Sequence, residues 1–148
     1  MRVLGIDCGT ECTGYGVVEL CAAGRLMCLT CGAIKLSARE PLPRRLAEIF
    51  DRLEGIIEEH RPHHVAIEDV FYAVNAKSAI KLGQVRGVAM LAASLSGLDV
   101  AEYSPLSIKS AVVGYGKKLP ILLNRKLQCH RSEFTSRAIP QLGHRLTG

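Results

Sequence analysis

"VLGIDCGTECTGYGVV", residues 3–18, decides how the rest of the chain is read. Arg2 to Asp7 and Gly14 to Leu20 are rich in Val, Ile and Leu and predict two strands, separated by the turn "CGTECT". The first strand ends on a carboxylate, Asp7, and passes straight into a turn holding Gly9, with Gly14 and Gly16 following. An ionised carboxylate buried without a partner costs several kcal/mol or more, so such an acid implies a cation, a backbone donor or a metal beside it. Glycine at these places lets the backbone come close to a metal, a phosphate or a neighbouring strand.

Working outward, Arg25 to Ile34 follows the Ala-Ala-Gly turn as a third strand, and the short connections predict an antiparallel meander. Leu42, Leu46, Ile49, Leu53, Ile56 and Ile57 recur at helical spacing up to His60, with Glu and Arg on the outer face, and Arg61-Pro62 ends that helix. "HVAIED" is a short buried strand, Asn75 to Ser96 a long Ala-rich helix, "LDVAEY" another strand, and Pro105 opens a helix to about Val113. The order βββαβαβα implies an α/β domain on a mixed sheet, parallel in its second half. Glu68 ends "HVAIE" as Asp7 ends "VLGID". If those two strands are parallel neighbours, both acids emerge at the carboxyl edge of the sheet, where α/β folds place ligands. Two carboxylates there make a Mg²⁺ or Mn²⁺ site, because hard divalent ions prefer oxygen donors. The competing reading is local: Asp7 accepts hydrogen bonds from its turn and Glu68 caps the next segment.

The 148 residues suit one domain, and no apolar run approaches the ~20 residues that cross a bilayer, so a cytoplasmic location is expected. Charge is uneven. Residues 1–103 carry 11 basic and 13 acidic side chains, a net of −2, whereas residues 104–148 carry 8 basic and 1 acidic, a net of +7. A basic tail fits a polyanion partner or a solvated end. Cys8, Cys12, Cys28 and Cys31 have the spacing of a loose zinc ribbon. Regular alternation along the third strand puts Cys28 and Cys31 on opposite faces, and buried free thiols are the simpler expectation.

"GIDCGTECTGYGVV", "AIEDVFYAVNAKSAIKLGQVRGVAM" and "IKSAVVGYG" resemble, in order and spacing, the signature segments of the RuvC-type crossover junction endodeoxyribonucleases, the Holliday-junction resolvases. The likeness covers residues 1–116, and its middle segment is the most specific. It implies a ribonuclease-H-like fold, a homodimer acting on four-way DNA junctions, symmetric strand nicking with Mg²⁺ or Mn²⁺, and a branch-migration helicase complex as partner. Carried over position by position, Asp7 and Glu68 resemble the first two metal-binding catalytic acids, Phe71 the aromatic that stacks on junction bases, and Lys109 a basic residue facing the DNA backbone. Ordinary core packing accounts equally for Phe71, and a solvated helix face for Lys109. Lys77, Lys81 and Arg86 share one long helix, where a surface role and phosphate contact are both open. Cys8 departs from the family, which usually has Pro there, and should loosen the turn slightly.

The larger departure is at the far end. The family's remaining ligands come from an acidic, Ala-rich last helix, yet nothing after Glu133 is acidic, and His144, three residues before Thr147, keeps at best half of the pair. As a ligand His144 competes with being a solvated terminal histidine. Residues 117–148 therefore form a divergent basic tail, and with two carboxylates alone catalysis is expected to be severely impaired. A reading-frame slip at Lys117-Lys118 accounts for the change, and the idea fails if neither other frame restores an acidic Ala-rich helix. A non-catalytic junction binder is one alternative function. An ATP-binding fragment of the actin and sugar-kinase type is another, since "DCGTECT" also resembles their first phosphate loop, Asp-x-Gly-Thr-x-x-Thr.

Overall fold

A computed structural model describes residues 1–22, 25–69 and 75–104. Five strands and two helices follow in the order β1 (Arg2–Asp7), β2 (Cys12–Leu20), β3 (Leu26–Lys35), α1 (Leu42–His60), β4 (His64–Glu68), α2 (Ala76–Leu95) and β5 (Asp99–Tyr103). The expected helix from Pro105 and the whole of 117–148 lie outside the described residues. The strands form one sheet in the order β3-β2-β1-β4-β5. The meander β1-β2-β3 is antiparallel, and β4 and β5 join parallel to β1, so the sheet is mixed as the sequence implies.

The alternation of β1 divides the molecule into two faces. Leu4 and Ile6 pair with Val17 and Tyr15 on one side and with Val65 and Ile67 on the other. These residues belong to a single core with Ile49, Leu53 and Ile57 of α1 and Val85, Ala89, Ala92 and Ala93 of α2. Both helices thus share that face of the sheet and pack against each other, and the alanines of α2 let its backbone come close. Val3, Gly5 and Asp7 point to the opposite face by the same alternation.

Helix ends follow local chemistry. Asn75 Oδ1 accepts from the Ser78 backbone N–H at 2.9 Å and caps α2, which closes at Gly97 in the left-handed conformation, φ 71°. α1 starts after Pro41 and ends at Arg61, whose own φ of 46° is left-handed, immediately before Pro62.

Two expectations need correction. Arg45 does not sit on the outer face of α1: it continues the buried stripe of Ile49, Leu53 and Ile57 at spacings of four and is 8% exposed. Cys28 and Cys31 do not face opposite sides of the sheet. The register shifts at Val17/Val18, where Leu29 is the extra residue of a β-bulge, so Cys28 pairs with Val18 and Cys31 with Gly16, two positions on the same face. Even so, no group of three or more His, Cys, Asp or Glu among the described residues could hold a metal ion, and the five cysteines described are free.

Candidate metal centre

Strand geometry brings Asp7 and Glu68 together. The parallel register Ile6↔Ile67 places the next residue of each strand side by side at the carboxyl edge, on the face opposite the helices. Their side chains hydrogen-bond to each other. Glu68 is half-buried; Asp7 is exposed at its strand end, with neighbouring protein atoms displacing only part of the water around its carboxyl. Burial pushes the Asp7 carboxyl above its ordinary range, and the bond to Glu68 pulls it back only in part. Two carboxylates can share a hydrogen bond only if one holds a proton, so the pair is strained when both ionise. An added cation between them relieves that strain, and the donor set, hard anionic oxygen, fits Mg²⁺ or Mn²⁺.

The turn after Asp7 is tied down from three sides. Thr13, fully buried, donates from Oγ1 to the Gly9 carbonyl at 2.9 Å and accepts from the Gly9 N–H at 3.3 Å. Arg45 of α1 donates from Nη1 to the Thr10 carbonyl at 2.8 Å, and the Leu36 N–H reaches the Glu11 carbonyl at 2.9 Å. Gly14 lies opposite Asp7, and a Cβ there would sit 3.6 Å from the Asp7 Cβ, so the glycine leaves the carboxylate uncrowded. Thr13 and Arg45 hold the turn that follows Asp7, and sequence reasoning missed both. The signal for Arg45 was present, since it falls in the i, i+4 series of the buried face.

Cys8 is buried beside the pair at 8% exposure. Burial first, and then the negative charge of Asp7, push its thiol up to about 12, with Arg86 opposing and Glu68 adding to the rise. Cys8 therefore stays a neutral thiol at physiological pH, a compact apolar filler where the turn needs one. In thiol labelling at pH 8, Cys8 is expected to react at least about a hundredfold more slowly than the exposed Cys12, because reactivity follows the thiolate fraction and access. Equal rates, read by mass spectrometry of the labelled peptides, would contradict this placement.

Arg86 is turned inward, with 19% of its side chain exposed, and is not free to meet phosphate. Its Nη2 lies 3.5 Å from Asp69 Oδ1 and hydrogen-bonds Glu102 Oε2. Lys77 is exposed and Lys81 half-buried on the same helix. Phe71, Lys109 and His144 lie outside the described residues.

Sheet order and paired acids define the class: a ribonuclease-H-like α/β fold with carboxylates at the ends of its central strand and of that strand's parallel neighbour. Residues 3–120 match the family model of the crossover junction endodeoxyribonuclease RuvC. The chain is 65% identical over 117 residues to the crossover junction endodeoxyribonuclease RuvC of Koribacter versatilis, covering 79% of this chain and 70% of that one. It is 51% identical over 123 residues to that of Acidobacterium capsulatum, covering 78% and 71%. The solved structure of T. thermophilus RuvC in complex with Holliday junction substrate superposes with a TM-score of 0.77 at 29% identity, covering 93% of this chain and 87% of that one. The chain belongs to the RuvC family.

Proposed function

We propose that this protein is a structure-selective endonuclease of four-way DNA junctions, with Asp7 and Glu68 as the surviving ligands of a Mg²⁺ or Mn²⁺ site. The observation that carries the reading is the meeting of those two carboxylates at the carboxyl edge of the sheet, in a chain whose relatives bear that activity in their names. A divalent ion held there supplies Lewis acidity that makes water a nucleophile near neutral pH and neutralises charge on the scissile phosphate. The protein's own part is to hold two oxygens at fixed separation on rigid strand ends, to keep one flank of the site dry through Cys8, and to lock the turn through Thr13 and Arg45. Phosphodiester cleavage needs such pre-positioning, because a misplaced ligand loses the in-line geometry.

Cleavage by this chain is slower than in relatives with a complete acidic last helix, since nothing after Glu133 is acidic. Symmetric nicking calls for two copies. The outward stripe of α2 supports a homodimer: Ile80, Leu91 and Leu95 are 64%, 51% and 69% exposed, and between them Gly83 and Gly87 have open space where a Cβ would stand. A two-fold axis across that stripe allows the helices to approach closely. A cytoplasmic setting and a helicase complex as partner belong to the same reading. Among the described residues no helix is long and apolar enough to cross a membrane.

Electrophoretic competition between a labelled four-way junction and linear duplex tests the substrate class. The expected result is preference for the junction by at least about tenfold, weakening steeply as salt rises through counterion release. Equal affinity for both DNAs, or binding of an ATP analogue with no DNA affinity, overturns the reading.

A further inference from the structure

We propose that Arg86 is the positioning residue of the acid pair, a role that rests on the metal reading above. Four carboxylates crowd the carboxyl ends of β1, β4 and β5: Asp7, Glu68, Asp69 and Glu102. Arg86 divides them. Its guanidinium takes Asp69 and Glu102, which extend the helix-facing series of Ile67, and leaves Asp7 and Glu68 to each other on the opposite face.

The consequence for Glu68 is mechanical as well as electrostatic. Glu68 pairs with Tyr103 of β5, and the next residue, Asp69, is held twice, by its backbone N–H to the Tyr103 carbonyl at 2.7 Å and by its carboxylate to Arg86. Strand pairing is thereby carried one residue past the acid, and the Glu68 side chain leaves the sheet in a fixed direction toward Asp7. Both carboxylates meet one nitrogen of the guanidinium, Nη2, so a single cation ties the residue after β4 to Glu102 of β5. Without it, Asp69 and Glu102 become unpaired anions beside two others, and the segment following Glu68 loses its side-chain anchor.

Mn²⁺ binding to the metal-free protein, read from the free-ion electron paramagnetic resonance signal, tests the role without DNA or turnover. Arg86→Gln is expected to raise the Mn²⁺ dissociation constant ten- to a hundredfold, the range typical of partners that orient metal ligands, with Arg86→Lys intermediate. Asp69→Asn and Glu102→Gln, each keeping one partner of Arg86, are expected to show smaller losses, and they carry the test should Arg86→Gln not fold. A lowered melting temperature with unchanged Mn²⁺ affinity in these variants assigns the network to stability alone and overturns the proposal. Wild-type protein that binds no Mn²⁺ overturns the metal reading and the role of Arg86 with it. Affinity lost in Glu68→Gln but kept in Arg86→Gln removes only the latter.

Discussion

Asp7→Asn is expected to lower nicking of four-way junctions by ~10³-fold or more, or ~4 kcal/mol of transition-state stabilisation, because it removes one of the two charged carboxylates of the proposed metal site. The same substitution is expected to stabilise the metal-free protein. Burial raises the Asp7 carboxyl above its ordinary 3.8, so folding favours its neutral form. That contribution is fully present below pH 3.8 and is lost as pH rises through the higher folded value. At neutral pH the ionised group opposes folding, and Asn removes the opposition. Asp7→Asn should therefore melt above wild type at pH 7 to 8 without metal, and the gap should close toward pH 3. Saturating Mn²⁺ reverses the order, adding about 2.7 kcal/mol to wild type at a hundredfold excess over its dissociation constant and nothing to the variant. Thermal melts across pH, with and without Mn²⁺, check each sign; a variant that melts below wild type at pH 8 without metal would contradict the strained pair.

Gly9→Ala carries the second large effect. A Cβ at this position would stand 2.2 Å from the Cys12 carbonyl oxygen, and the obstacle is backbone rather than a side chain able to swing away. The turn must open, breaking the two hydrogen bonds between Gly9 and Thr13 and displacing the Thr10 carbonyl from Arg45, whose guanidinium is then left buried. A loss of about 3 kcal/mol or more is expected, seen as a lower urea midpoint with unchanged slope. Gly14→Ala is the contrast. Its Cβ meets Asp7 at ordinary contact distances, 3.6 Å to Cβ and 4.0 Å to Oδ2, so the fold should tolerate it. Similar urea midpoints for the two variants would show that the turn is not clamped as described.

Each acid was legible in the sequence, since two short apolar strands each stop at a carboxylate, but their meeting was legible only on the condition that β1 and β4 are parallel neighbours, which the register shows. The bounds of α1, Leu42–His60, were legible for a similar reason, an apolar period closed by Arg61-Pro62. What escaped depends on pairing between distant segments. The extra residue Leu29 cannot be seen until β3 is laid against β2, and it alone reverses the facing of Cys28 relative to Cys31. Arg86 reads as one more cation on a helix until β5 joins β4 and presents Glu102 to it. Arg45 was visible in period and misjudged by residue type, since a buried arginine is rare unless a carbonyl such as that of Thr10 receives it.

Calorimetric titration of Mn²⁺ into the metal-free protein, beside Glu68→Gln, bears most directly on the central claim that strand ends β1 and β4 together grip one hard cation. Saturable binding by wild type, weakened at least about tenfold in Glu68→Gln, is the predicted result. Binding of equal strength in both proteins, or heat only of dilution in wild type, would contradict it.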